Sequence, residues 1–216
     1  MDWKSWHDRY DDPSQKFAAR LETVRARIRA ALDTAPAGPL RAVSLCAGQG
    51  RDLIPVLATH PRGHEVRARL VELDPQLADD ARRAAADAGL TGVEVVTGDA
   101  ALTDHYLDLA PADLVLVCGL YGNISVADIE RTVAACAALC AEGGTVVWTR
   151  GRRPEQEMVP QICAWYEEHG FERLWLAEPE IQLCVGAHRH AAAPEPLPAG
   201  RRLFEFIGYD VLHAGC

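Results

Sequence analysis

Three short runs place an acid or small residues at the end of an apolar stretch. The first is VSLCAGQGRD, Val43 to Asp52. Ala47-Gly48-Gln49-Gly50 joins an apolar run to a helical one. Small residues there let a ligand approach the backbone, and the following helix N-terminus favours a negative group such as a carboxylate. A dinucleotide fingerprint needs a third glycine where this chain has Leu53, which argues against a nicotinamide cofactor. A plain tight turn is the alternative. The second run is LVELDP, Leu70 to Pro75. A carboxylate at Glu72 can accept both hydroxyls of a ribose by charge-assisted hydrogen bonds, or simply end a strand in solvent. Asp74 reads as the cap of the next helix, with Pro75 at its first position. The third is VVTGDA, Val95 to Ala100. Asp99 suits an exocyclic adenine amine, with the Ala100 amide facing a ring nitrogen; a helix cap is the alternative.

Further groups invite a chemical reading. The run CGLYGNIS, Cys118 to Ser125, carries two glycines, Tyr121 and Asn123, and no carboxylate. Tyr121 and Asn123 are expected to line an acceptor site. The competing reading packs Tyr121 in the core and makes Asn123 precede or cap the helix near Ser125. Trp3, Trp6, His7 and Tyr10 form an N-terminal aromatic cluster, read either as a lid or as a docked helix, and His7 is the one obvious general base. Arg150, Arg152 and Arg153 suit an anionic substrate or a solvated loop. His188 sits in an apolar run and reads as structural. No metal site is expected: the seven cysteines form no C-x-x-C.

These residues need elements to position them. Phe17, Leu21, Val24, Ile28 and Leu32 recur at helical spacing over 14–33. Apolar strands are expected near 41–46, 67–72, 93–97, 113–118 and 144–149. Helices are expected near 51–58, 75–88, 125–141 and 155–169. Such alternation implies parallel β-α-β units with right-handed crossovers. Two further runs, 171–177 and 181–188, flank Glu178-Pro179-Glu180 and read as an antiparallel hairpin. A Pro-rich stretch, 194–200, leads to a last apolar run, Leu203 to Ile207. The organisation expected is an N-terminal helical segment or lid, 1–40, followed by one domain, 41–216.

Bulk properties restrict the partners. With 216 residues, 49% of them hydrophobic, the chain is long enough to bury a core. A net charge of −9 would repel a phosphate backbone, so no nucleic-acid partner is expected. No apolar run approaches the ~20 residues of a membrane span, and the polar N-terminus carries no signal-peptide core. An odd number of cysteines within apolar runs fits a reducing cytoplasm.

Taken together and in this order, the three strand-end runs resemble the class I S-adenosylmethionine-dependent methyltransferases over residues 41–190. The resemblance implies an α/β fold: a Rossmann-like three-layer sandwich with a mostly parallel seven-stranded sheet and a C-terminal antiparallel hairpin. The family's glycine-rich first motif falls on Ala47, Gly48 and Gly50, its ribose acid on Glu72 and its adenine acid on Asp99. The implied cofactor contacts also include Cys46, Asp52, Leu73, Ala100 and Cys118. Ser44 and Cys46 stand where the family has an acid and a first glycine. Asp52 or the N-terminal segment is then the candidate partner for the ammonium group. In this family the loop after the fourth strand faces the methyl group. The closest resemblance is to small bacterial members linked to secondary metabolism. It implies methyl transfer from S-adenosylmethionine to a small molecule; a homodimer stays open. The alternatives are a non-methyl outcome with the same cofactor (cyclisation or aminoalkyl transfer) and a non-catalytic adenosine-ligand binding protein.

Overall fold

The structure is a computed structural model and describes residues 16–153 and 156–212. In chain order its main elements are α1 (Lys16–Thr34), β1 (Leu40–Leu45), α2 (Ile54–Thr59), β2 (Val66–Glu72), α3 (Pro75–Asp87), β3 (Val93–Thr97) and β4 (Ala112–Val117). Then come α4 (Val126–Leu139), β5 (Cys140–Gly151), α5 (Val159–Glu168), β6 (Phe171–Leu176), β7 (Leu183–His190) and α6 (Tyr209–Leu212). The seven strands form one sheet in the order β3-β2-β1-β4-β5-β7-β6. β1 to β5 are parallel, and β7 runs antiparallel to both β5 and β6. The fold is therefore the Rossmann-like sandwich. Chain order reverses direction between β1 and β4, which opens a crevice at the carboxyl ends of the strands.

Both faces of the sheet are covered. Val24, Ile28 and Leu32 of α1, Val56 and Leu57 of α2, and the alanines of α3 pack on one face. Ile129 and Val133 of α4 and Ile162 and Tyr166 of α5 pack on the other. Burial on both sides explains the continuous apolar text of β4. Helix α1 is a full member of the first layer; the Arg27 guanidinium lies 4.7 Å over the Trp175 ring of β6.

Three boundaries differ from expectation. Helix α2 starts at Ile54 rather than near 51, because Pro55 occupies its first turn and residues 51–53 form a turn before it. Helix α5 starts at Val159 rather than 155, again with a proline, Pro160, in the first turn. Strand β5 begins at Cys140, directly after α4, rather than at 144. Its pairing with β4 shifts register between Ala112 and Leu114, and Gly143, at φ 79°, sits in that irregular start.

Candidate active site

A cavity of about 360 Å³ opens at the carboxyl ends of β1 to β5, within the size range of small-ligand sites. The turn after β1 forms its floor. Cys46 and Gly48 take left-handed conformations, φ 52° and 56°; Cys46 does so despite its side chain. Gly48 donates its amide to Glu72 Oε2 at 2.7 Å, and the Asp74 amide reaches Glu72 Oε1 at 2.9 Å. Each carboxylate oxygen has one backbone donor and keeps acceptor capacity towards the cavity. Burial raises the pKa of Glu72, and the backbone hydrogen bonds from Asp74 and Gly48 pull it back. Asp74 caps α3, its Oδ1 accepting from the Gln76 and Leu77 amides, as its place before Pro75 implies.

Asp99 follows β3. Its Oδ1 accepts from the Ala101 amide at 3.0 Å, so it also closes the local turn, and its Oδ2 pairs with Arg202 at 2.8 Å. Leu73 lines the cavity with its side chain largely exposed, while Ala100 is buried opposite the solvent. Asp52 lines the cavity as well; burial raises its pKa, opposed by the Leu53 amide and the Arg25 charge. Arg25 itself donates twice to the Arg51 carbonyl, at 2.9 and 2.7 Å, tying α1 to the turn after β1.

Of the sequence-nominated residues, Cys46, Ala47, Gly48, Asp52, Glu72, Leu73, Asp99, Ala100, Cys118 and Asn123 all line this cavity. Two nominated residues lie outside the lining. Gly50 is not among the lining residues. It is buried at φ 66°, and a Cβ there would stand 2.5 Å from Ile54 Cδ1, so it lets α2 pack under the turn. Tyr121 does not line the cavity either. It is fully buried, and its hydroxyl bonds that of Tyr166 at 2.6 Å. Asn123 does not cap α4; Ser125 does, through the Asp128 amide. Arg150 is buried in β5 and donates to the Tyr121 carbonyl, and Arg152 pairs with Glu157. His188 is buried and accepts from Trp148 Nε1 at 3.0 Å, a structural placement. His7 and the other N-terminal aromatics lie outside the described residues.

Sequence reasoning missed two walls. Arg20, Leu21 and Val24 reach the cavity from α1, and Phe204 and Phe206 reach it from segment 200–208. That segment is a strap. The Leu203 amide bonds the Ala101 carbonyl at 2.8 Å, and Thr103 and Arg201 bond each other twice at 3.0 Å. The Glu205 amide reaches Asp128, and the Ile207 and Gly208 amides share the Asn123 carbonyl. The run Leu203 to Ile207 was visible as apolar text, but nothing local assigned it to this cavity. Among the described residues no group of three or more His, Cys, Asp or Glu could hold a metal ion. No described helix is long and apolar enough to cross a membrane.

Residues 42–144 match the family model of the methyltransferase domain. Solved structures agree on the fold. Magnesium protoporphyrin IX methyltransferase from Synechocystis, solved with bound S-adenosylmethionine, superposes at TM-score 0.65 with 13% identity, over 88% of this chain and 91% of that one. A methyltransferase from Thiobacillus denitrificans in complex with S-adenosylhomocysteine gives 0.57 and 17%, over 78% and 91%. An O-methyltransferase family protein from Burkholderia thailandensis gives 0.64 and 16%, over 81% of this chain; this chain spans 56% of its length. No curated protein matches the chain by sequence. Fold and domain match together support a class I methyltransferase.

Proposed function

We propose that the chain transfers a methyl group from S-adenosylmethionine to a small molecule bound in the same cavity. One observation carries the reading. The Glu72 carboxylate, at the end of β2, is held by the Gly48 and Asp74 amides and lines the cavity. That is the donor-poor, acceptor-rich surface a ribose diol requires. Asp99, one strand further out, then accepts from the adenine amine, and Leu73 and Ala100 flank the ring. The turn Cys46 to Gly48, whose small residues leave the backbone open, lies against the methionine end, and Asp52 takes the ammonium group.

Bound S-adenosylmethionine supplies a methyl carbon on positive sulfur; the acceptor's lone pair forms the new bond as the C–S pair returns to sulfur, leaving S-adenosylhomocysteine. The chain's own contribution is alignment and exclusion of water. An acceptor that carries a proton releases it to water at the cavity mouth. A cavity of about 360 Å³ favours a small acceptor over a macromolecular one.

Calorimetry with S-adenosylhomocysteine tests the cofactor assignment, and formation of S-adenosylhomocysteine with transfer of labelled methyl tests the reaction. Binding that is absent in the wild type, or equal in Glu72→Ala, overturns the assignment.

A further inference from the structure

The ends of β4 and β5 carry an arrangement that the cofactor assignment leaves unused. The Gly119 peptide, at φ 81°, is held from both sides. Its amide donates to Thr149 Oγ1 at 2.8 Å, and its carbonyl accepts from Asn123 Nδ2 at 2.6 Å. The second bond fixes which end of the Asn123 amide is oxygen, so Oδ1 is the end left over. No described residue donates to that Oδ1. The Thr149 hydroxyl accepts from Gly119 and does not spend its own hydrogen on any described residue. Asn123 and Thr149 both line the cavity, and both are nearly closed to bulk solvent. One locked peptide therefore presents a hydrogen-bond acceptor and a donor side by side.

Sheet order says what this pair faces. With the ribose at β2, a ligand running along the order β2-β1-β4-β5 crosses one strand about every 4.8 Å. On the cofactor placement proposed above, the end that carries the methyl would lie towards β1 and β4, and the acceptor beyond it, towards β4 and β5. The cavity-lining residues described there are Cys118, Gly119, Asn123, Thr149, Phe204 and Phe206, none of them charged. The Cys118 thiol stays neutral, because burial holds its pKa well above the ordinary value. The charged lining groups stand on α1, end β2 or follow β1, β2 and β3; of these Asp52 and Arg20 act on the Cys118 thiol, in opposite senses. An ionic substrate group placed between the phenylalanines and the Gly119 peptide would lose its hydration with no charged side chain on the walls that touch it.

We propose that the methyl acceptor is an uncharged, largely apolar ring compound that carries an O–H or N–H beside a lone-pair acceptor. Asn123 Oδ1 receives the X–H bond, Thr149 Oγ1 donates to the neighbouring atom, and Phe204 and Phe206 cover the ring. Asn123 and Thr149 thus determine specificity, and this rests on the methyl-transfer reading above.

The test uses the full chain, labelled S-adenosylmethionine and a small-molecule extract of the cells that make the protein, split by ion exchange into anionic, cationic and neutral fractions. Label is expected in the neutral fraction. At low extract concentration, Thr149→Val should lower the transfer rate at least tenfold, and Thr149→Ser should stay within about threefold of wild type. Both variants should keep wild-type affinity for S-adenosylhomocysteine, and because Thr149→Val also gives up the Gly119 bond, rates are compared per folded molecule. Label entering only the anionic or cationic fraction overturns the proposal, as does a Thr149→Val rate equal to wild type. Loss of rate that disappears when expressed per folded molecule, or that runs in step with loss of cofactor affinity, also overturns it, by making Thr149 a scaffold residue. No label in any fraction, with cofactor still bound in a Glu72-dependent way, overturns the methyl-transfer reading and this inference with it.

Discussion

Glu72 and Gly48 are joined by a 2.7 Å hydrogen bond from amide to carboxylate, which fastens the end of β2 to the turn after β1. The bond orients the acid and fixes the turn at once. Glu72→Ala should therefore weaken S-adenosylhomocysteine binding by about 1.5–3 kcal/mol, roughly 10- to 150-fold. Glu72→Gln should fall between, since its side chain keeps one acceptor but lacks the charge. Isothermal titration at neutral pH measures both.

Gly50 carries a different load. Its φ of 66° and the 2.5 Å gap from a built Cβ to Ile54 Cδ1 leave no room for a side chain. Gly50→Ala should destabilise the fold by about 1–3 kcal/mol through overpacking and an unfavourable φ. Thermal melting reads the loss. Cofactor affinity of the remaining folded protein should change less than in Glu72→Ala.

Tyr121 and Tyr166 share a fully buried hydroxyl pair. Tyr121→Phe removes one hydrogen bond and leaves the Tyr166 hydroxyl only a distant Cys136 thiol, at 3.8 Å. A stability loss of about 1–2 kcal/mol is expected, with kcat/KM per folded molecule unchanged. Denaturant unfolding and activity, measured on the same sample, separate the two.

His188 provides a pH dependence. Burial, helped by the Arg173 charge, lowers its pKa from 6.5 to about 4. Its Nδ1 accepts from Trp148, and its Nε2 is buried without a partner among the described residues. The folded pKa lies below the unfolded one, so the unfolded chain binds more protons between these values. Stability from this group is complete above pH 6.5, falls as pH drops towards 4, and changes no further below that. The total is on the order of 3 kcal/mol. His188→Asn, which keeps an acceptor for Trp148, should flatten the wild-type loss over this range in pH-dependent melting, and that difference isolates the group.

The strand-end half of the site was legible because its signals are local. An apolar run, a turn and an acid stand within six residues at Leu70 to Pro75, and chain order alone places such runs side by side in a parallel sheet. The other half was not. Leu203 meets Ala101 and Asn123 meets Gly208 across long stretches of chain, and no spacing rule links them. Tyr121 misled for a related reason. Two neighbouring glycines suggested a ligand loop, but the ring turns inward to a partner on α5 that no local pattern announces. Helix α1 showed its apolar stripe in full, yet one stripe serves both sheet packing and the cavity wall, through Val24.

The strap from Gly200 to Gly208 sets an order of assembly. Asp104 and Thr103 leave the ribosome 96 and 98 residues before Gly200 and Arg201, their hydrogen-bond partners. At bacterial and eukaryotic synthesis rates that interval lasts roughly 5–20 s. During it, the cavity-lining acids Glu72, at the end of β2, and Asp99, after β3, are already made while the phenylalanine wall is not. A nascent chain stopped before residue 200 should thus be able to hold the nucleoside end of its cofactor while lacking the surface that selects what is methylated. On the proposed function, recognition of the acceptor would be a late event in the life of this chain, since Phe204 and Phe206 are translated after every strand of the sheet.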